Sequence, residues 1–89
     1  SNTLDIKSKD YLSYIILYAK DDIKVDKKIQ TLPDVSDIPD VGQVIKKDMP
    51  VITLNMKADN QDDLYKTIKR RIKSAMEIID CYNTQLEYE

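Results

Sequence analysis

Histidine, tryptophan and phenylalanine are missing from this 89-residue chain, and glycine and cysteine occur once each. Each shortage excludes something. Without histidine, the commonest general base, proton shuttle and metal ligand is gone. A lone glycine, Gly42, cannot build a phosphate-cradling loop, which needs several glycines so that backbone N–H groups can approach the anion. A lone cysteine, Cys81, rules out an internal disulfide framework and fits a reducing, cytoplasmic setting. With a net charge of −2 there is no overall basic field to hold nucleic acid. The longest apolar run, Tyr14–Ala19, is strand-sized and far short of the roughly 18 residues that span a bilayer. No signal-peptide pattern opens the chain.

What is present suits one small folded domain over 1–89, with 42% hydrophobic and 34% charged residues. A chain of this size buries only about 60–65% of the surface its unfolded form exposes. That allows one modest core and leaves little room for a deep cleft between two lobes. The start, Ser1-Asn2 without an initiator methionine, has the look of a tag remnant, so a piece of a longer protein is expected.

The pattern predicts an α+β fold in three parts: a loose lead-in over 1–9, a β-rich part over 10–58, and a C-terminal helix over 60–86. Tyr11–Ala19 is rich in aromatic and β-branched residues and reads as a strand. Leu12, Tyr14, Ile16 and Tyr18 share one face, and Ser13, Ile15, Leu17 and Ala19 the other. Both faces are largely apolar, which predicts a central strand covered on both sides. Asp21-Asp22 ends the run as a turn.

Short strands are expected at Ile23-Lys24-Val25 and Gln43-Val44-Ile45, with irregular chain over 26–42 between them. Pro33 and Pro39 disfavour regular structure there, and Gly42 sits where a tight turn needs a positive φ. Pro50 opens the next strand, over which Ile52, Leu54 and Met56 form the better core face.

Asn60 is a good helix N-cap, followed by acidic Asp62 and Asp63 in the first turn. Leu64, Ile68, Ile72, Ala75, Met76, Ile79, Tyr82 and Leu86 then keep the rhythm of one helical face. A helix of about 23 residues would be roughly 35 Å long. That outruns so small a core, so its end is expected to project or to pack on a partner. The expected whole is a small antiparallel sheet or partial barrel of about three to five strands against one long amphipathic helix.

Four groups invite a chemical reading, and each has a plainer one. Lys66, Lys69, Arg70, Arg71 and Lys73 could meet phosphates, but no aromatic platform accompanies them, and a solvated helix face accounts for them. Asp59, Asp62 and Asp63 lack the ligand spacing, glycine and closing glutamate of a calcium loop, and helix capping accounts for them. Asp21, Asp22 and Asp26 lie among lysines in an expected turn, where nothing separates their pKa values for acid–base work. Cys81 falls late in the expected helix, far from the N-terminal dipole that would activate a thiol. No catalytic, cofactor-binding or metal-binding residue is therefore assigned, and catalysis by these residues alone is not expected.

One segment carries a resemblance. Asp37-Ile38-Pro39-Asp40-Val41-Gly42 followed by Met49-Pro50-Val51-Ile52-Thr53-Leu54, preceded by a strand ending in Leu17-Tyr18-Ala19, is similar to the C-terminal end of ATP-grasp proteins related to carbamoyl-phosphate synthetase and biotin carboxylase. The ordered set runs from about Tyr11 to about Tyr82, and Lys47 stands where that group usually has a turn glycine. The resemblance implies a parent that activates a carboxylate with Mg-ATP. The ATP- and metal-binding residues of that group have no counterpart here, so it implies an accessory module bracing the upstream ATP-grasp core or its dimer interface. Gly42–Leu54 also resembles half of a lipoyl or biotinyl carrier motif, but Asn55-Met56-Lys57-Ala58 matches the biotinyl sequence poorly and the long helix does not belong in that fold. The expectation from another class is a protein-interaction domain that docks its amphipathic helix on a partner or on a second copy, without nucleic acid or membrane.

Overall fold

The computed structural model describes residues 11–84. The lead-in over 1–9 and the end of the expected helix, including Leu86, lie outside the described residues. The fold is α+β. Two nine-residue strands, β1 (Tyr11–Ala19) and β5 (Pro50–Ala58), pair antiparallel and form its centre. Between them come β2 (Ile23–Lys24), a 3-10 turn (Lys27–Thr31), β3 (Val35–Ser36) and β4 (Val44–Ile45). Helix α1 (Gln61–Met76) and the short β6 (Cys81–Tyr82) follow. The main sheet has the order β3-β5-β1-β6, and β2 and β4 form a separate ribbon.

Side-chain alternation builds the core. In the β1–β5 register Ile15 faces Leu54 and Leu17 faces Ile52, so the apolar residues of both strands share a face. Ile68, Ile72 and Ala75 of α1 are buried with them. The register slips by one residue between Leu17 and Tyr18, leaving Val51 as an extra residue on β5. A bulge lets two consecutive side chains seek the same side. Val51 and Ile52 are both buried, at 3% and 1% exposure.

The expectation that β1 is covered on both faces is corrected. Leu12 and Tyr14 remain 73% and 64% exposed, while Ile16 and Tyr18 are half-buried. Among the described residues one helix covers one face of the sheet, and Leu12 and Tyr14 stay exposed on the other.

The helix expected over 60–86 is also corrected. It stops at Met76, and Ile78 and Ile79 N–H groups both turn back to the Ala75 carbonyl at 2.9 and 2.8 Å. Cys81 and Tyr82 then pair with Ala19 and Tyr18 as strand. The strand gives the backbone near Ala19 a hydrogen-bonding neighbour that a continuing helix would deny it. No glycine or proline marks the stop, so the helical spacing runs on in sequence past the true end. Ile79 is buried all the same, in the turn after the helix.

The segment expected to be irregular contains β3, bracketed by positive-φ residues Asp34 (52°) and Asp37 (54°). Aspartate is among the few side chains that tolerate this region. Gly42 has the expected positive φ, 89°. In the turn before β5 the left-handed residue is Asp48, at 69°. No helix among the described residues is long and apolar enough to cross a membrane.

Ile72 has no exposed surface and sits where α1 meets the β1–β5 pair. Ile72→Ala should lower stability by about 2–5 kcal/mol, read from urea unfolding followed by circular dichroism.

Candidate functional site

The structure places each candidate group from the sequence. Asn60 Oδ1 accepts the Asp63 N–H at 2.9 Å, and Asn60 Nδ2 donates to Asp63 Oδ2 at 3.1 Å. The acidic group at the start of α1 is thus a helix cap, as expected. Asp21, Asp22 and Asp26 do not converge. Asp26 caps the 3-10 turn by accepting the Lys28 N–H at 2.8 Å, and Asp21 accepts the Asp22 N–H at 2.8 Å. Asp22 reaches across to the β4–β5 turn, accepting the Lys47 N–H at 2.9 Å and meeting Lys46 Nζ at 3.5 Å. The Lys47 N–H, helped by the Lys46 ammonium, holds the Asp22 carboxyl below its ordinary range. Among the described residues no group of His, Cys, Asp and Glu is placed to hold a metal ion.

Cys81 is buried on β6, and burial pushes its thiol up to about 11. A thiolate is the reactive form, so this thiol is held in its inert state at neutral pH. Iodoacetamide should therefore label Cys81 many-fold more slowly in the native protein than in denaturant, with the native rate rising as pH approaches 11. Quantitative mass spectrometry over a time course measures it.

The basic cluster of α1 splits. Lys69 Nζ lies 5.1 Å from the centre of the Tyr65 ring, a cation–π contact on the outer face. Arg71 turns inward. Its guanidinium donates to the carbonyls of Asn55 and Pro33, and more loosely to that of Asp34 at 3.4 Å. Partial burial lowers its pKa from the ordinary value, with Asp34 opposing. The planar fork reaches three backbone acceptors from two segments, which a point-charge ammonium could not do with the same geometry. Arg71 thus fastens the Pro33-Asp34 bend to the outer edge of β5. The Asn55 N–H completes the joint by donating to the Asp34 carbonyl at 2.8 Å. This role was missed in sequence, although a signal existed. Arg71 stands three residues after Ile68 and four before Ala75, on the flank of the buried stripe.

Beside this joint, α1 and β5 bound a cleft of about 570 Å3 with Arg70, Thr67, Lys57 and Met56 among its walls. A smaller cleft of about 280 Å3 lies between β2, the 3-10 turn and the Ile78–Asp80 segment. Neither gathers a set of groups that could act together on a substrate.

The open sheet face carries the remaining surface of interest. Leu12, Tyr14, Ile16 and Tyr18 run along β1, with Thr53 and Asn55 beside them on β5. Tyr18 and Tyr82 stack at 5.8 Å between ring centres, and the Tyr82 hydroxyl donates to Asp48 Oδ1 at 2.8 Å. That hydrogen bond to a carboxylate raises the Tyr82 pKa. Thr53 is buried because its hydroxyl donates to Asp37 Oδ2 at 2.9 Å, and Asn55 Nδ2 donates to Ser36 at 2.9 Å. The face is thus pinned at its β3 side and its Tyr82 side, with Leu12 and Tyr14 exposed between.

Comparison with protein-family models, curated proteins and solved structures returns no match for this chain.

Removing the Arg71 joint strands several carbonyls. Arg71→Ala should cost about 1–3 kcal/mol in urea unfolding, and Arg71→Lys should recover little of it.

Proposed function

We propose that this domain is a non-catalytic binding module that works through the open face of its sheet. The supporting observation is the placement of Leu12 and Tyr14, strongly exposed residues on a strand whose opposite face buries Ile15, Leu17 and Ala19 in the core. Exposed aromatic and aliphatic side chains on a rigid sheet give contact area at low entropic cost. The helix offers less. Its apolar residues Ile68, Ile72 and Ala75 are spent on the domain's own core, and Tyr65 is the large hydrophobic residue it exposes. This moves the docking surface of the interaction reading from the helix to the sheet.

The narrower form of the reading concerns what the face meets. The ordered resemblance from Tyr11 to Tyr82 favours the ATP-grasp core of a cytoplasmic, ligase-like parent, with the module bracing that core or its dimer interface. Mg-ATP then belongs to the parent, and no residue of this domain is assigned to it.

The test uses the preceding part of the parent gene. Its product, expressed separately, is titrated into the isotope-labelled domain. Amide shifts at Leu12, Tyr14, Ile16 and Thr53 are the expected result. Shifts confined to the outer face of α1 would refute the sheet-face reading. A parent gene without an ATP-grasp core before Thr3 would remove the narrower form and leave the broader one standing.

A further inference from the structure

The cleft between α1 and β5 holds no set of groups for chemistry, but its walls agree in build and in charge. Thr67, Arg70, Arg71 and Ser74 fall at i, i+3, i+4 and i+7, so one stripe of α1 forms its polar wall. Exposed Leu12 and Pro33 and the buried Leu32 and Met56 supply an apolar lining. Its volume of about 570 Å3 lies within the range of small-molecule sites. An apolar lining with a few convergent polar groups is the general build of such sites.

The charge of the walls is one-sided. Arg71 donates to three carbonyls, and none of these acceptors is a carboxylate. Burial does most to lower its pKa, Asp34 opposes that, and Arg70 adds to the lowering, so the two guanidiniums feel each other's charge. Arg70 itself is exposed and makes no hydrogen bond or ion pair with another described residue. Asp34 is the acidic residue on the walls, so two guanidiniums share the cleft with one carboxylate before Lys57 is counted. Asp59 and Asp63 lie in the adjoining hollow, where Lys66 stands with them and Asn60 engages Asp63. A positive cleft in a chain of net charge −2 is a local departure that composition hides.

We propose that this cleft binds a small organic anion, its carboxylate or phosphate held by Arg70 and the Thr67 and Ser74 hydroxyls in the field of Arg71, and its apolar body resting on Leu12, Pro33 and Met56. The planar fork of Arg70 can take two oxygens of either head group at once. Arg71 is tied to the backbone, so its charge is fixed in place before a ligand arrives. Charge complementarity selects the occupant: the same field repels a cation, and a neutral apolar molecule gives Arg70 no partner. The inference adds a second site to the sheet-face reading, touches it only at Leu12, and does not rest on any ATP-grasp parent.

The isotope-labelled full chain is titrated with octanoate, octyl phosphate and octylammonium. The anions should shift the Thr67, Arg70 and Ser74 amides with dissociation constants on the order of 1 mM, as suits so small a ligand. The tighter of the two identifies the head group. Acetate, which lacks the apolar body, should bind at least about tenfold more weakly. Octylammonium should leave these amides unmoved. Arg70→Glu should weaken anion binding by about tenfold or more, and Arg70→Lys should retain part of it. Lys73→Glu makes the same charge change at an exposed position of α1 off the cleft walls, and should stay within about twofold of the unaltered chain. Both glutamate variants should keep the circular dichroism spectrum, because both positions are exposed. No shift by about 10 mM anion, or shifts confined to residues outside the cleft, overturns the inference. Octylammonium binding as tightly as octanoate, or equal weakening by Lys73→Glu and Arg70→Glu, overturns it as well. The sheet-face reading is tested with a protein ligand at Tyr14, Ile16 and Thr53, so the two fail separately.

Discussion

The antiparallel pairing of β1 with β5 is the constraint from which the other contacts follow. It joins two strands separated by the whole of residues 20–49. Closing so long a loop carries an entropic cost that local contacts cannot repay. The apolar alternation repays it, because one register brings Ile15, Leu17, Leu54 and Ile52 to a single face, and a slip by one residue would turn them all outward. The helix docks on that face. Short links then hold β3 to β5, Asp34 to Asn55 and Asp37 to Thr53, and Asp22 ties the turn after β1 to the Lys47 N–H in the turn before β5.

Aspartate does much of this local work. Asp34, Asp37 and Asp48 take up left-handed conformations that a chain with a single glycine must supply some other way. Asp22 and Asp26 accept backbone N–H groups, and Asp48 accepts the Tyr82 hydroxyl. Part of the acidic character of the described residues is therefore structural. It serves turns and caps, which is also why the carboxylates are dispersed and do not gather at one site.

The asymmetry of the sheet bears on function more directly than any titratable group. One face is sealed by α1, and one edge is closed by Arg71. The other face leaves Leu12 and Tyr14 exposed. Surface concentrated in this way on a rigid strand suits recognition. It also explains why burial, and not chemistry, distinguishes the residues of this domain from one another.

Much of the fold could be read from residue order. The β1 and β5 strands, the N-cap at Asn60, the positive φ at Gly42 and the core face of Ile52, Leu54 and Met56 are all local consequences of pattern and propensity, so a sequence states them outright. Three features belong to the tertiary structure alone. The helix ends at Met76 because the next residues are needed to pair with Tyr18 and Ala19, a demand that arises some 60 residues away. Arg71 leaves the solvated face because carbonyls of Pro33 and Asn55 arrive beside it only once β3 and β5 are in place. Leu12 and Tyr14 stay exposed because, among the described residues, one helix covers one face of the sheet and β6 pairs with β1 only at Tyr18 and Ala19. Periodicity says which residues prefer burial, and only the packed chain decides which of them run out of partners.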